Sequence, residues 1–266
     1  MNRVRAGMGG VLVALGLAPW GSLYAQAGPP FLTNDPGTPG NGNWEINLGA
    51  MQLSERHSAT TQLPQLDANF GVGERLQLTY EVPYVFASAT GEPDHSGWGN
   101  SVIGAKWRFL DQGEGGWQVA TFPQFVFARS ASAVSNGIAT EGPRLFVPLE
   151  VSRPVAALLV DFEAGYFFAR NGPEERILGL VVGGPVTSRF DLNAELYSDR
   201  VMGAPPGDTT LDVGLRYRLH PAFILLAMAG RSINGSSDGH AQFLGYLGFQ
   251  ILLSDYGRRL NHEAGR

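Results

Sequence analysis

The 266-residue sequence has no cysteine and one lysine, Lys106; every other cation among its 19 Lys and Arg residues is arginine. Without cysteine there can be no disulfide framework, no thiol nucleophile and no Cys-ligated zinc or iron–sulfur centre. No apolar run approaches the roughly 20 residues a membrane-crossing helix needs, which excludes a helical membrane protein although 44% of residues are apolar. The net charge is -5 with no basic block, so nucleic acid is set aside as a partner. Five histidines (57, 95, 220, 240, 262) fall at no metal-ligand spacing. Asp35, Asn41, Asn43 and Glu45 lack the spacing of a calcium loop and read as turn chemistry. No metal and no cofactor is expected. The shortage of lysine is informative in itself. Soluble sheets commonly guard their edge strands with Lys, and a closed barrel has no edge to guard.

What is present divides the chain into four parts. Arg3 and Arg5, the short apolar core from Val11 to Ala18 and the small-x-small site Ala25-Gln26-Ala27 read as an export signal over residues 1–27. Residues 28–43 are too rich in Pro, Gly and Asn for a helix or strand. Residues 44–253 alternate apolar and polar almost throughout, and 254–266 form a polar tail.

The alternation is clearest where Leu76, Leu78, Tyr80, Val82 and Tyr84 interleave with Arg75, Gln77, Thr79 and Glu81, which places two chemically distinct rows on opposite faces of a strand. Twelve such strands are expected, at 44–53, 61–72, 75–85, 100–110, 117–127, 144–152, 157–168, 176–183, 189–198, 209–219, 222–230 and 241–253. Pro123 and Pro148 should mark bulges or breaks in the ladder. No helical stripe with caps is found. Links after even-numbered strands are tight and those after odd-numbered strands are long. That is the pattern of an antiparallel transmembrane β-barrel of the outer-membrane type, with periplasmic turns and extracellular loops.

Two belts of aromatic residues fit the membrane interfaces. Trp44, Trp107, Phe109, Trp117, Phe190, Tyr217 and Phe223 lie at turn-side strand ends, and Tyr84, Phe125, Phe127, Tyr166 and Phe168 near the loop side. A soluble β-sandwich or lipocalin-like barrel would show the same alternation with inside and outside exchanged. Twelve strands, however, enclose a space too wide for an apolar core. The lipid bilayer is therefore the expected partner; oligomeric state is not encoded legibly.

With the apolar phase toward lipid, the polar phase lines a lumen. Its charged members are Glu81, Lys106, Arg108, Glu150, Asp161, Glu163, Asp191, Glu195, Arg216 and Arg218, together with Asp67 and Asp212. Ion pairs are expected between Glu81 and Lys106 or Arg108, and between Asp191 or Glu195 and Arg216 or Arg218. Glu150, Asp161 and Glu163 have no cation in phase and are expected to form an acidic, hydrated patch that favours cations. The segment 28–43 lies at the periplasmic mouth, either as a disordered leader or folded against the mouth or into the lumen with Phe31 as apolar anchor and Asp35 close by.

No Gly-x-Ser-x-Gly elbow, His-Glu-x-x-His or phosphate-binding loop occurs. His57-Ser58 and Ser135 are the only hints of a barrel hydrolase, and no enzyme is expected. The residues Pro30-Phe31-Leu32-Thr33-Asn34-Asp35-Pro36, Gly42-Asn43-Trp44-Glu45-Ile46-Asn47, Phe70-Gly71-Val72, Gly97-Trp98-Gly99-Asn100, Gly104-Ala105-Lys106-Trp107-Arg108-Phe109 and Gly230-Arg231 resemble the outer-membrane proteins grouped under the phenol meta-cleavage pathway (MetA) name. Asn34-Asp35 stands where that family usually has Asp-Asp, and Gly99-Asn100 where it has Gly-Asp. The resemblance implies an outer-membrane barrel moving small, hydrophobic or aromatic molecules, and it supplies no catalytic residues. A structural or interaction barrel without transport is the alternative expectation, with a hydrolase behind it.

Overall fold

In a computed structural model the described residues are 27–254 without 114, 171, 205–206 and 236–238. The expected export signal and polar tail lie outside these residues, apart from residues 27 and 254. The strands are β1 (Trp44–Ser54), β2 (Ser58–Val72), β3 (Leu76–Ala89), β4 (His95–Trp98), β5 (Asn100–Asp111), β6 (Gln118–Thr121), β7 (Gln124–Ala128), β8 (Arg144–Val155), β9 (Leu158–Ala169), β10 (Glu175–Thr187), β11 (Phe190–Val201), β12 (Thr209–His220), β13 (Phe223–Ser232) and β14 (Phe243–Leu253). β4 and β5 form one crossing of the wall interrupted at Gly99, and β6 and β7 form another interrupted at Phe122-Pro123. The fourteen pieces therefore make the twelve crossings expected from the sequence. All pairings are antiparallel, and β14 pairs with β1 in register from Trp44↔Leu253 to Ser54↔Phe243, closing the barrel.

Exposure decides which way the alternation points. Leu76, Leu78 and Tyr80 are 43%, 53% and 40% exposed, whereas Gln77 and Thr79 between them are 7% and 8% exposed. The same inversion recurs on β11 and β12, where Leu192, Leu196, Leu211 and Val213 face out and Asn193, Glu195 and Asp212 are buried. A soluble barrel would bury the first set, because exposed apolar surface opposes folding in water by about 25 cal/mol per Å². Here that surface is the part that lipid would cover. Closure also leaves no unpaired strand edge in the hydrocarbon.

The two proline positions share one irregularity. Thr121 pairs with Leu149 and Gln124 with Phe146, so Phe122-Pro123 and Val147-Pro148 face each other across a gap in the ladder. Pro has no N–H to give, and the carbonyls are served otherwise: the Thr121 hydroxyl donates to Pro148 O at 2.7 Å and Ala105 N–H to Pro123 O at 3.0 Å. Of these two crossings only β6/β7 is broken; β8 runs through Pro148. Phe122, released from the ladder, turns inward and is buried.

Strands run further on the loop side than the sequence suggests. β1 and β2 leave only residues 55–57 between them, and β4 pairs with β3 from Tyr84↔Trp98 to Ala87↔His95. Ladder hydrogen bonds continue beyond the apolar band, where alternation no longer signals them. One short helix, α1 (Ala131–Ser135), also stands where none was expected. Its Ser130 cap accepts from Ala133 N–H at 3.1 Å, and Ala133 and Ile138 tuck against Val85. Five residues are too few to show a helical period.

Both aromatic belts are present. On the turn side Trp44 meets Phe70 with ring centroids 4.8 Å apart, Trp107 meets Phe109 at 5.6 Å and Phe223 meets Phe249 at 5.0 Å. On the loop side Tyr84 contacts Phe86 and Trp98, Phe125 stacks on Phe127, and Tyr166 contacts Phe168.

Candidate functional site

The lumen is occupied by the Pro/Gly-rich segment. From Trp44 the chain runs back along the β2–β3 turn, where Gly42 N–H donates to Gly71 O at 2.9 Å, Gly71 N–H to Asn43 O at 3.0 Å and Thr38 Oγ1 to Glu74 O at 2.9 Å. A Cβ on Gly71 would lie 1.8 Å from Gly40 O, so only glycine admits this backbone approach. Residues 31–36 then cross the interior. Thr33 N–H donates to Glu195 Oε1 at 2.7 Å and Leu32 N–H to Oε2 at 3.2 Å, while Asn34 gives its N–H to Glu163 Oε2 at 2.8 Å and its side-chain amide to Oε1 at 3.3 Å. From the crossing that contains β5 the Lys106 ammonium donates to the Asp35 carbonyl. Phe31 packs with Val181, Leu226, Met228, Leu244 and Tyr246. The segment thus supplies a small apolar core to a lumen that otherwise has polar walls.

Among the described residues none of the expected ion pairs forms. Glu81 faces Val102 while Lys106 faces Gln77; this four-residue offset is about 13 Å along a strand. Glu81 instead accepts from Gln65 Nε2 at 3.3 Å. Lys106 reaches over the small side chain of Ala120 to Glu150, two crossings away, at 3.3 Å, with its ammonium 4.8 Å from the Phe122 ring centre. Arg108 Nε lies 3.3 Å from Asp111 Oδ2, and its Nη2 donates to Glu74 O at 2.7 Å. Asp191 does face Arg216, but the guanidinium donates to Gln250 Oε1 at 2.6 Å; Arg218 donates to Ser188 O at 3.0 Å. Glu195 faces another acid, Asp212, and turns to the segment.

The acidic trio is therefore not a hydrated wall. Glu150 and Asp161 are 0% exposed and Glu163 is 1% exposed. Glu150 has Lys106 beside it, contrary to the expectation of no cation in phase, and Glu163 carries Asn34. Glu150 and Glu163 are direct cross-strand partners, and like charges so placed repel; the Lys106 cation and the two N–H donors of Asn34 keep the pair tolerable. The expected site residues Phe31 and Asp35 sit within this same arrangement.

Sequence reasoning missed the peptide groups of Leu32, Thr33 and Asn34, which do the binding through backbone. It also passed over two inward-facing glycines. A Cβ on Gly179 would stand 2.0 Å from Thr33 Oγ1, and one on Gly214 would stand 2.6 Å from Phe31 Cζ. Glycine on the buried phase of a strand is the signal that would have found them. Gly179→Val should keep the barrel, since valine suits strands, yet push Thr33 off the wall. Conductance of this variant in planar bilayers is expected to rise toward that of a chain lacking the segment, with the heat-dependent gel shift retained.

On the loop side of Leu32 a cavity of about 250 Å³ remains. Leu32, Met51, Leu53 and Leu244 form its apolar side, and Glu55, Thr60, Gln62, Tyr197, Asp199 and Thr210 its polar side. At its rim Asp208 gathers four donors: Thr209 N–H at 2.8 Å, Ala241 N–H at 2.9 Å, His240 Nδ1 at 2.9 Å and the Ser232 hydroxyl. Burial opposes ionisation of Asp208, and these donors outweigh it, holding the carboxyl below its usual range. Ser232 and Asp208 both meet the same imidazole nitrogen, Nδ1. A hydrolase relay needs serine on the nitrogen opposite the carboxylate, so this cluster ties loops together and is not arranged for acyl transfer. Ser135 Oγ donates to Ser132 O within α1.

A depressed pKa means the carboxylate's contribution is complete above the unfolded-state value and is lost as pH falls through the folded one. The chain at His240 and Ala241 should stay docked through neutral and mildly acidic pH and loosen only in strong acid. Asp208→Asn is expected to loosen it at neutral pH, raising hydrogen exchange at the Ala241 amide; unchanged exchange would remove Asp208 as the tie.

The sequence matches no family model and no curated protein. Among solved structures it is similar to the COG4313 outer membrane channel from Pseudomonas putida F1, with TM-score 0.62 and 12% identity over 80% of this chain and 96% of that one. It is also similar to the KdgM porin, with TM-score 0.54 and 11% identity over 77% and 98%. The translocator domain of the autotransporter NalP from Neisseria meningitidis aligns with TM-score 0.50 and 10% identity over 79% and 86%. Likeness at these identities shows the fold: the chain is a closed, antiparallel, twelve-crossing β-barrel of the outer-membrane type.

Proposed function

We propose that this barrel is an outer-membrane channel for the passive passage of small molecules, narrowed by its own N-terminal segment. The observation that carries the reading is the inverted wall, with exposed leucines and aromatics outside and buried carboxylates, amides and arginines inside. Such a wall makes sense between lipid and an aqueous path. The structures it resembles include a protein described as an outer membrane channel and another described as a porin. The cavity beyond Leu32, half apolar and half polar, supports a solute with a hydrophobic or aromatic body, as the MetA-like motifs imply. A solute would enter from the loop side, rest against Leu32, Met51 and Leu53, and pass when residues 31–36 shift from Glu163 and Glu195.

One specific feature favours a second reading, a barrel without transport: the segment is held from three crossings of the wall, by Lys106 and by two carboxylates. Planar-bilayer conductance of the full chain and of a chain lacking residues 29–41 separates the two. A channel conducts in both forms and more in the second, whereas a structural barrel with its lumen sealed by other means conducts in neither.

A further inference from the structure

The loop-side rim of the barrel is chemically divided. On β3, β4, β7 and β9 the outward residues are Tyr84, Phe86, Trp98, Phe125, Phe127, Tyr166 and Phe168. On β10, β11 and β13 they are arginines: Arg176, Arg200 and Arg231. Arg176 shares the outward phase with Leu178 and Leu180, and Arg200 shares it with Leu192 and Leu196. Arg176 is the register partner of Tyr166 on one side and of Arg200 on the other. The two guanidinium groups are therefore at the level of the aromatic belt, on the face that lipid covers.

Two like charges directly opposite on neighbouring strands are unfavourable, and among the described residues nothing relieves them. Among the described residues neither Arg176 nor Arg200 has an ion-pair or side-chain hydrogen-bond partner. The carboxylate of Glu174 accepts from Tyr166 Oη at 2.6 Å, and that of Asp199 turns to the lumen side, where it meets Asp208 N–H. A cavity of about 210 Å³ lies between the arginines, with Leu178, Ser198, Asp199, Gly207 and Asn234 also on its wall. At ~30 Å³ per water this is room for a phosphate group with part of its hydration.

We propose that Arg176 and Arg200 form a binding site for the phosphate headgroup of an anionic lipid in the membrane leaflet on the loop side. The guanidinium fork matches phosphate oxygens in pairs, and a phosphate between two arginines turns their repulsion into two attractions. The Ser198 hydroxyl at this cavity is spent on Asp208 O at 3.2 Å, whereas the Asn234 amide gives one N–H to Gly207 O at 3.4 Å and keeps the other for the phosphate. The site is distinct from the lumen and takes a structural lipid, not a transported solute. It rests on the reading that the barrel lies in a membrane.

The test uses the full-length protein purified in a neutral detergent, with a bis-phosphorylated glycolipid, its phosphate-free counterpart and inorganic phosphate as probes, read by native mass spectrometry and by titration. The wild type should bind the phosphorylated lipid at least about tenfold more tightly than Arg176→Ala/Arg200→Ala, the scale expected for charge-assisted hydrogen bonds, and should bind the phosphate-free lipid no better than that variant does. Equal binding by wild type and variant overturns the site. Binding of inorganic phosphate as tight as that of the lipid assigns the arginines to a free anion and overturns the lipid assignment. Both arginines are exposed, so the variant should keep its heat-dependent gel shift. A wild type that stays soluble without detergent refutes the membrane reading itself, an outcome separable from loss of lipid binding in a detergent-extracted barrel.

Discussion

Deleting residues 29–41 is expected to raise single-channel conductance several-fold and to replace brief, fluctuating openings by a steady current. The segment fills the interior at the level where Glu163, Glu195 and Lys106 converge, and Pro30, Thr33 and Pro36 are fully buried there. It is held mainly by charge-assisted hydrogen bonds, each worth roughly 1.5–3 kcal/mol, and by Phe31 in its apolar nest. Prolines at 29, 30 and 36 lower the entropy lost on holding it in place. Glu163→Gln/Glu195→Gln should give an intermediate result: the acceptors remain but lose their charge, so the segment leaves more often and openings become more frequent. An unaltered current in the deletion would show that the conducting path does not run past this segment.

Replacing Lys106 by methionine should be the most destabilising single change in the wall, by about 3–5 kcal/mol, because it strands a buried carboxylate. Neither Glu150 oxygen has a hydrogen-bond partner by strict geometry, and the carboxylate is fully buried, so the ammonium at 3.3 Å is what compensates its charge. Glu163, its cross-strand partner, adds repulsion once Lys106 is gone. The readout is the urea midpoint of the heat-modifiable band. Lys106→Met/Glu150→Gln should recover most of the loss, since the burial penalty disappears with the charge. A single mutant as stable as the wild type would mean that water or another donor serves Glu150.

Most of the wall was legible because it depends on a period of two, which Leu76 to Tyr84 or Leu211 to Tyr217 display without help from neighbours. The even count, the antiparallel order and the two aromatic belts follow from that period plus the placement of turns. The interior was less legible. Lys106 finds Glu150 by reaching across a crossing at Ala120, and such a contact depends on register and on a small intervening side chain, neither of which adjacent-strand reasoning supplies. The segment's anchoring is harder still, because backbone N–H groups carry it and every residue but proline has one. What the sequence did hold was a pair of glycines, Gly179 and Gly214, on the buried phase where a wall alone would not need them. Strand extension above the lipid band escaped notice because polar alternation there has no apolar row to contrast with.

The seam between β1 and β14 bears on the order of assembly. The first crossing finds its second partner only when the last has been made, so until residue 253 is in place the wall is an open, curved sheet. The carboxylates that hold Leu32, Thr33 and Asn34 belong to the seventh and ninth crossings, 129 to 163 residues further along the chain. The leading segment can therefore be laid across an unfinished surface and enclosed as the seam zips, with no need to thread a finished tube. Slow, long-range closure would then be the step that commits the occupant to the inside.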